Sequence, residues 1–134
     1  MTTVLYPEDH FPNDQLERDL FGRDVTVRAR AAKSIAELAD EDCADVDGLM
    51  IMRLAVGRAD MARFPNLKCI VRMGVGYDRL DRKAAAERGI LICNVPDYGT
   101  TEVADHAIAL ALSLRRGIIH YHDTQRASPP APWK

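Results

Sequence analysis

The residues whose types and spacing can do chemistry lie in one stretch, Arg72-Met73-Gly74-Val75-Gly76-Tyr77-Asp78. An apolar run stops there at two glycines, and a helical pattern begins a few residues later. Glycines on either side of Val75 let the backbone turn tightly and leave consecutive N–H groups open to a ligand. A concave donor surface of that kind binds carboxylates and phosphates. The other use of the same spacing is a tight strand-to-helix turn in which glycine serves a positive φ. Arg53, at the end of a second apolar run, is either a solvated loop charge or a contact that selects substrate.

A dinucleotide cradle needs more than this loop offers. The third glycine of Gly-x-Gly-x-x-Gly falls at Arg79, and the next apolar run ends in Asn94 where an acid would hold a ribose. The loop is therefore not read as a nucleotide site. His10 reads as a solvated loop histidine. His106 follows Asp105, but helical neighbours point about 100° apart and form no dyad. His120 and His122 have the wrong helical spacing for a metal pair, so no metal is expected. Cys93 reads as a buried packing thiol rather than a nucleophile.

These groups need a frame to hold them. Val4-Leu5-Tyr6 predicts a strand ending at Pro7, and Leu16, Leu20 and Phe21 give helical spacing over 13–21, with Gly22 as the stop. Val25, Val27 and Ala29 alternate, as on a strand near a sheet edge. Ser34-Ile35-Ala36-Glu37 has the form of a capping box opening a helix, with Ile35, Leu38 and Ala39 inward. Residues 48–52 are continuously apolar, as in a strand covered on both faces, and deliver Arg53. A helix over 59–64 stops at Pro65, and a strand over 67–73 delivers the glycine loop. Asp81 caps a helix over 82–88 that leaves through Gly89, and a fifth strand covers 90–93.

The strongest helical pattern follows, with Thr100 or Thr101 as cap, Glu102 and Asp105 early, and Arg115 and Arg116 late, matching the helix dipole. Its apolar residues run nearly all round, which calls for burial on most sides by something beyond residue 134. A second helix over 118–126 and a proline-rich linker complete the chain. The alternation predicts an α/β fold: a flavodoxin-like parallel sheet of about five strands in the order 2-1-3-4-5. Helices lie on both faces and a long C-terminal helix follows. Ligands in such sheets bind beyond the carboxyl ends of the strands, so Arg53, Gly74-Val75-Gly76 and Asn94 share one rim.

Composition narrows the function. The chain has 134 residues, 47% of them apolar, enough for one domain with a real core. Its 18 basic and 20 acidic side chains are interspersed, so neither nucleic acid nor an anionic membrane is an expected partner. Three cysteines without a C-x-x-C pair, and no targeting signal, point to a reduced, cytoplasmic protein.

Three segments within 67–116 carry a resemblance. They are Leu-Lys-Cys-Ile-Val-Arg-Met-Gly-Val-Gly-Tyr-Asp-Arg-Leu-Asp, Ala-Ala-Ala-Glu-Arg-Gly-Ile-Leu-Ile-Cys-Asn-Val-Pro and Glu-Val-Ala-Asp-His-Ala-Ile-Ala-Leu-Ala-Leu-Ser-Leu-Arg-Arg. Together they closely resemble the D-isomer-specific 2-hydroxyacid dehydrogenases. Arg72-Met-Gly and Cys93-Asn-Val-Pro look nearest to the branch that contains the C-terminal-binding-protein corepressors. The resemblance implies a two-domain NAD or NADP enzyme interconverting a 2-keto acid and a D-2-hydroxy acid, and a homodimer when intact. In those terms residues 1–99 are the substrate-binding domain and 100–134 the connecting helix and linker, with the nucleotide-binding domain outside this chain. It further implies that the N–H groups of Val75 and Gly76, with Gly74 beside them, hold the substrate carboxylate, and that Val75 and Val103 lie near the nicotinamide. The Arg, Glu and His that such enzymes use for hydride transfer fall outside this sequence, so the chain alone is expected to be inactive. Two other readings compete: a corepressor-like peptide-binding module, and a free-standing flavodoxin-like regulatory domain, to which the all-round apolar helix is the main objection.

Overall fold

The computed structural model describes residues 1–8 and 15–128, and the chain divides into two compact units, Met1–Pro96 and Asp97–Lys134. The first unit holds strands β1 (Thr2–Tyr6), β2 (Val25–Ala29), β3 (Gly48–Ile51), β4 (Cys69–Arg72) and β5 (Leu91–Asn94). Its helices are α1 (Gln15–Phe21), α2 (Asp40–Cys43), α3 (Arg58–Ala62) and α4 (Arg82–Glu87). Every pairing is parallel and the order is β2-β1-β3-β4-β5, so the flavodoxin-like sheet is present and β2 lies at its edge. Right-handed crossovers then put α1 on one face and α3 and α4 on the other, because the chain first steps outward to β2 and then returns past β1.

Register separates the two faces. Leu5 pairs with Leu49 and Leu49 with Ile70, all three buried, and Ile35, Val46, Met61, Phe64, Ala84 and Ala85 close over them. The opposite face carries Val4, Met50, Val71 and Cys93. There α1 is anchored by the Tyr6 hydroxyl, which donates to Glu17 Oε1 at 3.0 Å, and Phe21 reaches the sheet beside Val4 and Met50. Coverage is thus uneven, and β3 alternates between half-buried and buried positions instead of being enclosed on both sides. Cys93 is exposed, which corrects its reading as a buried thiol: it sits on the less covered face of edge strand β5, beside Leu91 at 68% exposure. Cys69 shares that face; burial, and next the neighbouring Cys93, push its thiol up.

Several local expectations change. Leu16 and Leu20 face solvent, since the seven-residue α1 buries none of its side chains. The Ser34–Glu37 capping box does not form. Those residues make a single 3-10 turn, the Ser34 side chain caps nothing, and Glu37 Oε2 accepts instead from the Lys33 N–H at 2.8 Å. Arg63 organises the segment from outside, donating to the carbonyls of Ile35 and Leu38 and to Asp40 Oδ1. The Asp81 cap is as predicted: Oδ1 accepts from the Ala84 N–H at 2.9 Å, and α4 leaves through Gly89 at φ +68°.

Asp47 ties three strands at their amino ends. Its Oδ2 accepts from the Thr3 N–H at 3.0 Å and its Oδ1 from Lys68 Nζ at 2.8 Å. The Lys68 ammonium, and next the Thr3 N–H, hold its carboxyl below the usual range. A carboxyl depressed in the folded state adds stability above its unfolded pKa and loses it as pH falls through the folded value. Asp47→Asn should therefore destabilise the protein at pH 7, with the difference from wild type closing below about pH 4. Denaturant midpoints across pH check this, and a difference independent of pH would contradict it.

The second unit contains α5 (Thr100–Arg116) and α6 (Ile118–Ala127), joined at Gly117 with φ +62°. Gly99, not Thr100 or Thr101, is the N-cap residue, and no side chain caps the helix. Glu102 and the Arg115-Arg116 pair occupy the ends as the dipole favours. Among the described residues neither helix buries a side chain, and the cover expected for α5 was placed beyond residue 134. No helix among them is long and apolar enough to cross a membrane, and no three His, Cys, Asp or Glu side chains gather as metal ligands. His10 and the proline-rich end at 129–134 lie outside the described residues.

Candidate active site

Two loops at the carboxyl ends of β3 and β4 build the site. The first is held from beneath by Glu8, which follows β1 and is 7% exposed. Its Oε1 accepts from the N–H groups of Met52, Arg53 and Leu54 at 2.8, 2.9 and 2.9 Å, and its Oε2 from Arg53 at 3.0 Å. One carboxylate thus gathers three successive donors and fixes the backbone from which Arg53 projects. Sequence reasoning missed Glu8, because its partners stand 44 to 46 positions away. The only signal was an acid placed where a strand gives way to a loop.

The second loop begins at Arg72. Met73 N–H donates to the Ile51 carbonyl and Gly74 N–H to the Arg72 carbonyl, both at 2.8 Å. Val95 N–H donates back to the Gly74 carbonyl at 3.1 Å, and Asn94 Nδ2 to the Val75 carbonyl at 2.7 Å. The carbonyls flanking Val75 are therefore occupied, while the N–H groups of Val75 and Gly76 have no acceptor among the described residues. Neither Gly74 nor Gly76 takes a positive φ, so the tight-turn alternative is corrected. The Arg72 guanidinium folds across Gly74: a Cβ there would lie 1.7 Å from Arg72 Nη1, so a side chain at this position would make the arginine swing away. A Cβ at Gly76 would meet only Asp78 Oδ1, at 3.1 Å.

The loops are zipped together. Val56 and Leu80 form a parallel bridge, with Val56 N–H donating to the Arg79 carbonyl at 3.0 Å and Asp81 N–H to the Val56 carbonyl at 3.1 Å. Arg79 Nη1 also donates to the Arg53 carbonyl at 2.9 Å. Between the loops lies a cavity of about 260 Å³ lined by Arg53, Arg72, Gly76, Tyr77, Asp78 and Arg79, among others. The Arg82 guanidinium sits 5.0 Å from the Tyr77 ring centre, steadying that wall.

Arg53, Gly74, Val75 and Gly76 thus meet on one rim with Asn94, as the strand order implied. Val103 belongs to α5 in the second unit and is 70% exposed. Arg72 and Arg79 were not singled out from sequence as site residues, although Arg72 stands at the last position of β4. The rim offers two free backbone donors and guanidinium groups, which suits an oxyanion. It offers no dinucleotide cradle: α4 starts at Arg82, six residues past Gly76, and Arg79 is engaged with Arg53.

Comparison with known proteins places this geometry. Residues 9–127 match the family model described as D-isomer specific 2-hydroxyacid dehydrogenase, catalytic domain. The chain is 33% identical over 109 residues to C-terminal-binding protein 1 of Caenorhabditis elegans, covering 72% of this chain and 15% of that protein. It is 39% identical over 82 residues to glyoxylate reductase of Pyrococcus furiosus, covering 59% of this chain and 24% of that protein. The crystal structure of an NADPH-dependent glyoxylate/hydroxypyruvate reductase from Sinorhizobium meliloti superimposes with a TM-score of 0.73 at 29% identity, over 98% of this chain and 41% of that one. The chain therefore spans a quarter or less of the length of these curated relatives. On the match across nearly its whole described length, the chain belongs to the D-isomer-specific 2-hydroxyacid dehydrogenases, a family of oxidoreductases.

Proposed function

We propose that this chain is the substrate-holding part of a longer NAD- or NADP-dependent enzyme that interconverts a 2-keto acid and a D-2-hydroxy acid. The observation that carries the reading is the pair of unengaged N–H groups at Val75 and Gly76, on a rim whose other backbone groups are tied down. Two donors side by side suit the two oxygens of a carboxylate, and each such charge-assisted bond contributes about 1.5–3 kcal/mol. Gly74 and Arg53 complete the substrate side. Residues 1–99 form the substrate domain and 100–134 the connection to a nucleotide-binding domain elsewhere in the protein. In this reading that other domain holds the dinucleotide, and Val75 and Val103 are the apolar side chains assigned to the nicotinamide end. The intact protein is a cytoplasmic homodimer in this reading.

The glyoxylate reductases among the similar proteins support a small 2-keto acid as substrate. The longer protein should oxidise NADH or NADPH with at least one of a panel of 2-keto acids, whereas this chain alone should give no rate. Turnover by the 134-residue chain, or none by the longer protein with any acid of the panel, would overturn the assignment. Similarity to C-terminal-binding protein 1 favours a second reading, a peptide-binding module using the free edge of β2. Peptide binding by a longer protein with no turnover would select it.

A further inference from the structure

The cavity behind the rim has a charge that a single carboxylate does not use. Arg53, Arg72 and Arg79 line it with Asp78 as the one acid in the lining, so its walls carry an excess of two positive charges. Among the described residues the guanidinium groups of Arg53 and Arg72 have no carboxylate partner, and that of Arg79 meets only the Arg53 carbonyl. Four other arginines of this unit are paired with acids: Arg28 with Asp45, Arg30 with Asp42, Arg58 with Glu87 and Arg63 with Asp40. Three arginines gathered on one concave wall with a single acid, two of them without any carboxylate partner, mark a place for an anion from outside the chain.

Gly76 belongs both to the rim and to the cavity wall, and Arg72 folds across Gly74 into the same space. A molecule held by the Val75 and Gly76 N–H groups therefore has its far end at the arginines. We propose that the substrate is a 2-keto acid with a second carboxylate at its far end, received by Arg72 and Arg53. The inference rests on the carboxylate-holding role of Val75 and Gly76. Arg79 acts as a positioning residue, since its bond to the Arg53 carbonyl and the Val56–Leu80 bridge keep the two loops together. The planar guanidinium of Arg72 suits a carboxylate bidentately, which lysine would not reproduce.

The test compares two acids of equal chain length, 2-oxopentanoate and 2-oxoglutarate, titrated into the 134-residue chain and followed by the amide shifts of Val75 and Gly76. The readout is the ratio of the two dissociation constants within each variant, because general damage to the site weakens both acids together. In the wild type 2-oxoglutarate should bind about tenfold more tightly or better. In Arg72→Gln and in Arg53→Gln the ratio should fall toward one. A wild-type ratio near one, with both acids shifting the two amides, overturns the second-carboxylate inference and leaves the carboxylate role of the rim intact. No shift at either amide with both acids at about 50 mM, a range that reveals even millimolar binding, overturns the rim reading as well. Inorganic phosphate that moves the Arg53 and Arg72 side-chain signals while leaving the 2-oxoglutarate affinity unchanged would assign the cavity to a free anion and also overturn the proposal.

Discussion

On the proposed assignment, Gly76→Pro in the longer enzyme should raise KM for its 2-keto acid by about tenfold to a hundredfold, the effect of losing one charge-assisted hydrogen bond to a carboxylate. Proline has no N–H, so the substitution removes the donor itself. Gly76→Ala is the matched control. It keeps the N–H and adds a Cβ whose nearest neighbour is Asp78 Oδ1 at 3.1 Å, the end of a side chain that can swing aside. Alanine should therefore bind substrate nearly as glycine does, and the contrast between the two variants isolates the donor from the shape of the loop. Circular dichroism and a melting curve on both variants show whether the fold persists. A KM unchanged by proline, in a folded enzyme, would remove Gly76 from the carboxylate site.

The second large effect is on stability. Glu8→Ala strips the acceptor from three backbone N–H groups, those of Met52, Arg53 and Leu54, on a loop where the carboxylate is nearly inaccessible to solvent. Unsatisfied buried donors each cost about 1–3 kcal/mol, and some recover a partner when water enters the gap, so a net loss of about 3 kcal/mol is expected. That is a large fraction of the roughly 5–15 kcal/mol by which domains of this size are stable. It should lower Tm by about 10 °C. Glu8→Gln preserves the volume and one acceptor but turns an amide NH2 toward the same donors, and should fall between wild type and alanine. A Glu8→Ala protein melting within about 2 °C of wild type would show that the loop holds without this clamp.

Much of this fold was legible from short-range pattern. Strand positions, the edge location of β2, the Asp81 cap and the Gly89 exit all follow from alternation, a cap residue and a glycine beyond the helix, and each is a property of neighbours in sequence. The strand order also followed, because right-handed crossovers leave few arrangements for alternating strands and helices. What failed depended on distant neighbours. Ser34 and Glu37 have capping-box spacing, yet Arg63, far along the chain, sets the local geometry through the carbonyls of Ile35 and Leu38. Cys93 lies in an apolar run, but whether a strand residue is covered depends on which helix reaches its face. At the site, Gly74 to Gly76 were found because glycines announce themselves. Glu8 and Arg72 were not, since a lone acid or arginine carries no spacing signal, and the space Arg72 takes above Gly74 is a three-dimensional fact.

The bridge between Val56 and Leu80, with the Arg79 to Arg53 bond beside it, has a kinetic consequence. Both loops of the rim are held by the chain's own hydrogen bonds, so the acid proposed as substrate would meet a surface that needs no closing segment on this side. Capture by a surface already in place is limited by encounter rather than by rearrangement. With an excess of positive charge in the walls, that encounter is steered by the field of the arginines. The association rate of the acid should then slow as ionic strength rises, as mobile counterions shorten the reach of that field.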